Sequence, residues 1–298
     1  MKLFFIVNPI SGGVNKEPFL LQVEHLCTTY GIDYHVFKTT GDHDKEKTLA
    51  QIQDFQPDKV ISVGGDGTTL FTATTLLNTG YPIGIVPLGS ANGMATELYV
   101  DPEPVNALRD IIMTDMVRGL DLLLVNNKHY ALHLGDVGIN AQIVASYEKD
   151  PNRGMSTYAK YFISELQKMQ PFSVSVETEE KNYSGKVLMA ALCNARKYGT
   201  GVPLNTTGNP MDGVFEIVLV EKIDPVSLLR AGLASLDEKY LDSQKSKVIT
   251  TTKARIEFDK PRLLQLDGEV IEPLKVIEVK LLKGAVRLLT TGKNKHIL

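Results

Sequence analysis

The stretch VISVGGDGTTLF, Val60 to Phe71, decides how the rest of the chain is read. Its first half is a short apolar run of the kind expected for a strand buried on both faces. Gly64, Gly65 and Gly67 then surround one carboxylate, Asp66, and a segment of helical character follows. Glycine has no Cβ, so such a turn can take positive φ and let a polyanion approach the backbone closely. The start of the next helix would offer unsatisfied N–H groups and a positive dipole end to phosphate. Asp66 adds negative charge at that place. It makes chemical sense as a magnesium ligand, direct or through water, or as a proton acceptor. Thr68 adds a hydroxyl for phosphate. The same residues also suit a tight strand-to-helix turn with a capping aspartate.

Around this stretch, strand and helix signals alternate. LFFIV (3–7), IDYHVFK (32–38), DKVISV (58–63) and PIGIVPLG (82–89) read as strands. EPFLLQVEHLCTTYG (17–31) reads as a helix ending at Gly31, DKEKTLAQIQDF (44–55) as an amphipathic helix, and TLFTATTLLN (69–78) as a third. The alternation predicts a parallel sheet covered by helices on both faces, with ligands at the carboxyl ends of its strands. Two further loops follow such strands. NPISGG (8–13) supplies Asn8, Ser11, Gly12 and Gly13, suited to phosphate or nucleotide contacts. PLGSANGMATEL (87–98) places Ser90 and Asn92 just before a helix, where an N-cap role is the ordinary one. Three such loops on one sheet edge exceed what turn chemistry requires. The spacing is neither G-x-x-x-x-G-K-[ST] nor G-x-G-x-x-G, which excludes a Walker-type loop and argues against a dinucleotide dehydrogenase.

From about residue 119 the character changes. LDLLLVNNKHYALHLG (120–135) reads as two strands joined at Asn126-Asn127-Lys128, and a helical interval follows near 154–168. Beyond it most segments are β-like, which predicts a mainly antiparallel second domain. Within LDGE (266–269), Asp267-Gly268 is a hairpin-turn signal. The chain has 298 residues and a net charge of −3, which argues against a nucleic-acid partner. Cys27 and Cys193 have neither metal-ligand nor disulfide-scaffold spacing, as expected in a reduced compartment. The opening apolar run is too short for a signal peptide and reads as a first strand; no run approaches a membrane span. A cytoplasmic protein is expected, with access to a membrane surface.

These motifs resemble the diacylglycerol kinase catalytic family, which includes sphingosine kinases and bacterial soluble lipid kinases. The matching stretches are NPISGG, GGDGTTL and PLGSANGMA, then GLDLLLVN, GINA (138–141), RGMSTYAKY (153–161), NARKYGTGVPLN (194–205), MDGVFEIVLV (211–220) and LQLDGEV (264–270). They cover nearly the whole chain in order. The resemblance implies an α/β nucleotide-binding domain over 1–121, with a parallel sheet like those of NAD kinases and phosphofructokinases. A mainly antiparallel, β-rich sandwich domain over 122–286 would take the lipid, and 287–298 would return to the first domain. It implies transfer of the γ-phosphate of ATP, with magnesium, to a lipid alcohol such as diacylglycerol. Such a kinase belongs to phospholipid metabolism and works peripherally at the inner membrane face.

Residue by residue, the resemblance assigns the nucleotide to Asn8, Pro9, Ser11, Gly12, Thr40, Gly64, Gly65, Asp66, Gly67, Thr68, Leu70, Ser90 and Asn92. Glu269 matches the proton acceptor for the lipid hydroxyl, with Asp267 beside it. Asp66 would support catalytic magnesium, or act as the base as its counterpart does in sphingosine-type members. Asp212 matches a structural magnesium site, helped by backbone oxygens near Asn209 and Val214. Arg153 and Lys160 suit a lipid phosphate or a solvated helix face. Two positions depart from the pattern: Gly93 stands where many bacterial members carry Asp, and Leu70 where many carry a polar residue. The rival readings are an NAD kinase making NADP and a non-catalytic nucleotide- or lipid-binding regulator. Neither the acceptor lipid nor the oligomeric state is legible.

Overall fold

The computed structural model describes residues 1–138, 170–197, 204–205, 207–222 and 245–297. The expected helical interval near 154–168, with Arg153 and Lys160, lies outside them. The chain divides into two compact units: Met1–Leu122 with Lys283–Leu298, and Leu123–Leu282.

The first unit alternates strands and helices: β1 (Lys2–Val7), α1 (Glu17–Tyr30), β2 (Asp33–Lys38), α2 (Asp44–Phe55), β3 (Lys59–Gly64), α3 (Asp66–Thr75), β4 (Ile83–Pro87), α4 (Gly93–Glu97) and α5 (Pro104–Met113). Its strands run parallel in the order β2-β1-β3-β4. The last residues of β14 (Glu269–Leu289) join β4, also parallel, with Leu288 opposite Ile83. Alternation along β1 explains the two covered faces. Leu3, Phe5 and Val7 pack with Phe19, Val23 and Leu26 of α1 and with Leu108 and Ile111 of α5. Phe4 and Ile6 point to the opposite face and are equally buried. Because β2 and β3 lie on opposite sides of β1, the strand order reverses at β1 and β3. In parallel sheets that is the place where ligands bind.

Local chemistry sets the helix ends. α1 stops where Gly31 takes a left-handed conformation (φ 62°) and its N–H bonds back to the helix. α3 starts at Asp66, three residues before the start expected from periodicity, so the glycine loop itself forms its first turn. Glycine's low helix propensity hid that start, while Asp66 favours it by complementing the dipole. α5 had no counterpart among the helices expected from the sequence. Pro104 opens it, and Ala107, Leu108 and Ile111 form its buried stripe.

The second unit is antiparallel: the end of β5 (Val117–Val125), β6 (His129–Ala131), β7 (Leu134–Gly138), β8 (Phe172–Thr178), β9 (Asn182–Val187), β10 (Met189–Cys193), β11 (Phe215–Lys222), β12 (Lys245–Thr251), β13 (Lys253–Leu266) and most of β14. β5 and β6 form a hairpin whose turn residues Asn126 and Asn127 both have positive φ. β13 changes partners along its length. Residues 254–258 pair with β8 and residues 264–266 with β7, and its register against β14 shifts between these segments. This break lets two strand layers face each other. Val174, Val176 and Val187 from one layer share a core with Phe215, Ile217 and Leu219 from the other.

Candidate active site

In the first unit the three glycine loops leave the carboxyl ends of β1, β3 and β4 and interlock through their backbones. A Cβ on Gly89 would lie 2.3 Å from the Cα of Gly65, and one on Gly12 would lie 2.7 Å from the carbonyl carbon of Gly89. No side chain larger than hydrogen fits at either place. Hydrogen bonds hold the arrangement: Gly65 N–H donates to Ser11 Oγ at 3.0 Å, and Leu88 N–H to Gly64 O at 2.8 Å. Asn8 Oδ1 accepts from Ile10 N–H at 3.2 Å. Asn92 closes its own loop, accepting from Gly89 N–H at 2.8 Å and donating to Gly89 O at 3.0 Å. Pro9 and Ser90 are exposed beside these contacts. Lys16 is buried under the first loop, donating to the carbonyls of Ser11 and Val14 at 2.5 and 2.9 Å, and burial lowers its pKa.

Asp66 spans two loops. Its Oδ2 accepts from Gly93 N–H at 2.9 Å and its Oδ1 from Met94 N–H at 2.8 Å. The capping role considered for this aspartate is thus real, but it serves α4 rather than its own helix. Among the described residues each oxygen accepts one bond, which leaves it a second lone pair. Thr68 is buried against Gly64, and its Oγ1 has no partner among the described residues. Around Gly67, by contrast, there is open space where a Cβ would stand. Thr40 follows β2, and its hydroxyl and N–H both donate to Asp44 at 3.0 Å. Burial opposes ionisation of Asp44, but these bonds, one from Gly41 N–H and the charge of Lys47 together lower its pKa.

In the second unit the LDGE sequence forms the β13–β14 turn, with Asp267 at φ 48° and Gly268 at φ 88°. The Asp267 carboxylate accepts three N–H groups, from Leu132 at 2.7 Å and from His133 and Leu134 at 3.0 Å. Burial of the carboxyl raises its pKa, against the opposing pull of His133 and these three donors. Glu269, two residues on, is exposed, and its side chain makes no hydrogen bond or ion pair among the described residues. Asp267 therefore holds the turn, and Glu269 is the carboxylate it presents.

A residue that sequence reasoning missed completes this anchorage. Gln265 is buried, accepts Gly268 N–H at 2.9 Å, and donates to buried Asp136. Asp136, Cys193 and Glu216 lie on the sheet face opposite the second unit's apolar core, and their burial runs against their polarity. Burial, opposed by a 2.7 Å hydrogen bond from Asn205, raises the pKa of Glu216 to about 7, with Asp212 adding to the rise. Only the burial of polar groups reveals this strip, and no sequence periodicity encodes it. Asp212 itself is exposed in the turn before β11, where its Oδ1 accepts Val214 N–H at 3.0 Å and its N–H points to Asn209 O at 3.4 Å. Among the described residues no group of three or more His, Cys, Asp or Glu could hold a metal ion.

Comparison with known proteins matches both units. Residues 2–125 fit the diacylglycerol kinase catalytic domain, and residues 136–290 fit the YegS C-terminal NAD kinase beta sandwich-like domain. The chain belongs to the diacylglycerol kinase family of lipid kinases. Among relatives of this family, the diacylglycerol kinase of Bacillus subtilis is 22% identical over 89% of this chain and 88% of its own. A protein named "Probable lipid kinase YegS-like" from Klebsiella pneumoniae is 25% identical over 93% of each chain. A crystal structure of a diacylglycerol kinase from Bacillus anthracis superposes with a TM-score of 0.72 at 19% identity, covering 98% of this chain and 97% of that one, which shows the shared fold. The fold is thus the expected one, parallel α/β followed by an antiparallel β-sandwich. Among the described residues no helix is long and apolar enough to cross a membrane.

Proposed function

We propose that this chain transfers the γ-phosphoryl group of ATP, taken as its magnesium complex, to the hydroxyl of a lipid such as diacylglycerol. The observation that carries this reading is the backbone interlock of Gly12, Gly65 and Gly89 at the strand-order switch of the first unit. It leaves open space at Gly67, in the first turn of α3, which fits a polyphosphate. ATP supplies the phosphoryl group, and magnesium neutralises charge as it moves. The glycine loops hold and orient the phosphates. Asp66 would help to hold the magnesium of the nucleotide, directly or through water, with the carboxylate capacity left beyond its bonds to α4. Glu269 takes the proton of the acceptor hydroxyl, and Asp267 fixes the turn that presents it. Asp212, with carbonyls of Asn209 and Val214, would hold a structural magnesium ion. Phosphoryl transfer asks mainly for positioning and charge stabilisation, which these parts supply. The enzyme works in the cytoplasm and meets its lipid at the membrane face.

The test is incubation of wild type and Glu269→Gln with labelled ATP, magnesium and a mixed lipid extract, with NAD in a parallel tube. The reading expects a labelled lipid from wild type and at least a hundredfold less from the variant, about the size of a lost general base. Label in NADP alone would replace it with the NAD kinase reading. Nucleotide binding without transfer to any acceptor would replace it with the regulator reading.

A further inference from the structure

Helix α4 is a single turn of five residues, yet it is gripped at both ends. Its first N–H groups are held by Asp66, as described. At its other end the Nε2 of His296 lies 3.1 Å from both the backbone O and the Oε1 of Glu97. Both partners are acceptors, so Nε2 carries the hydrogen and donates. The two side chains are almost removed from solvent, at 8% exposed for His296 and 3% for Glu97. A buried carboxylate at a helix C-terminus is disfavoured by desolvation and by the dipole, so a donor there is required. So short a helix cannot fix its own position through internal bonds, and its place follows from its anchors and its packing.

His296 is itself fixed. Its N–H donates to Asn294 Oδ1 at 3.0 Å, and its ring lies 5.7 Å from that of Tyr99. Asn294 donates to Thr290 Oγ1 at 3.1 Å, and Lys293 to Asp110 at 2.7 Å. The final residues are thereby pinned to the end of β14 and to α5.

We propose that His296 is a positioning residue for the phosphoryl-donor site: through Glu97 and α4 it sets where the Asp66 carboxylate stands over the glycine loop. This rests on the reading of these loops as the donor site. Loss of the His296 bond to Glu97 loosens the C-terminal end of α4, and with it the two N–H groups that orient Asp66.

The experiment uses the full chain, isotope-labelled for amide hydrogen exchange, with Mg-ATP affinity measured by calorimetry. His296→Phe keeps a ring against Tyr99 and removes only the donor, so it guards against simple loss of folding in His296→Ala. Exchange at Gly93 and Met94 should rise about tenfold in both variants, with β3 amides unchanged. Mg-ATP affinity should fall about tenfold. His296→Gln, which restores a donor, should return both to within about twofold of wild type. A folded His296→Phe with wild-type exchange and affinity overturns the proposal. So does faster exchange at unchanged affinity, which reduces His296 to a structural tie, and so does a Gln variant no better than Phe. If wild type itself binds no Mg-ATP, the donor-site reading fails separately, and the exchange arm still decides whether His296 holds α4 to Asp66.

Discussion

Gly67→Ala separates the fold from its use. Gly67 is exposed, lies in the first turn of α3, and has nothing within 4 Å of the place a Cβ would take. Its φ is not in the left-handed region. The fold therefore has no objection to alanine there, and replacing a helical glycine should add about 0.5 kcal/mol of stability. For a domain of this size that raises Tm by about 1–2 °C. The phosphates, however, are proposed to lie against this same backbone. A methyl group would hold a phosphate oxygen off the loop and cost one or two charge-assisted hydrogen bonds, each about 1.5–3 kcal/mol. Mg-ATP affinity should fall at least tenfold, and more than about a hundredfold if both bonds go. Differential scanning calorimetry and titration calorimetry on the same preparation read the two effects. Opposite signs, a higher Tm with weaker binding, are expected. A Gly67→Ala protein that binds Mg-ATP like wild type would refute the idea that open space at this glycine serves a ligand. Gly89→Ala is the contrasting case, because its Cβ would meet the Cα of Gly65 at 2.3 Å. Both readouts should fall there, with overpacking alone costing about 1–3 kcal/mol.

Asp66→Asn leaves one of the Gly93 and Met94 N–H groups without an acceptor. It should lower stability by about 1–3 kcal/mol, seen as a lower Tm, before any loss of turnover is considered. Glu269→Gln should leave Tm within about a degree of wild type while abolishing transfer, because the side chain is exposed and unpartnered among the described residues. Asp267→Asn should lower both, since an amide cannot accept all three N–H groups of Leu132, His133 and Leu134. Glu216 carries a raised pKa of about 7 against its ordinary 4.5. Folding therefore favours its protonated form, and its contribution is full below pH 4.5 and lost as pH rises through 7. Urea unfolding at pH 5 and pH 8 should show wild type losing stability relative to Glu216→Gln. An equal change in unfolding free energy between the two pH values in both proteins would refute that assignment.

The sequence was most legible where local chemistry alone decides. Gly31 ends α1 because only a residue tolerant of positive φ suits that cap, and α2 follows its apolar spacing over 44–55. The turns at Asn126-Asn127 and Asp267-Gly268 are legible for the same reason. The presence of glycines in three loops was visible, but not which of them touch: the contact of Gly65 with Gly89 joins positions brought together only by the sheet order. The bond from Met94 to Asp66 spans 28 residues and that from Gln265 to Asp136 spans 129, and neither leaves a periodic trace. Capping was rightly one of the roles open to Asp66, but nothing local could say which helix it caps. Glu97 and His296, 199 residues apart, were invisible for the same reason.

The first unit is not a contiguous stretch of chain, since it needs residues 283–298 as well as 1–122. During translation, β4 therefore emerges long before the strand that will pair with its edge, and Leu289 reaches the core with Phe5 and Ile61 only once β14 has been made. Throughout that interval the nascent sheet presents an unpaired edge and an unfilled position, the features that invite aggregation or chaperone capture. A chain cut after residue 125, natural as a motif boundary, would make that interval permanent. Its behaviour on the ribosome and in the test tube should be that of a folding intermediate, and supplying the 283–298 peptide in trans should rescue its solubility.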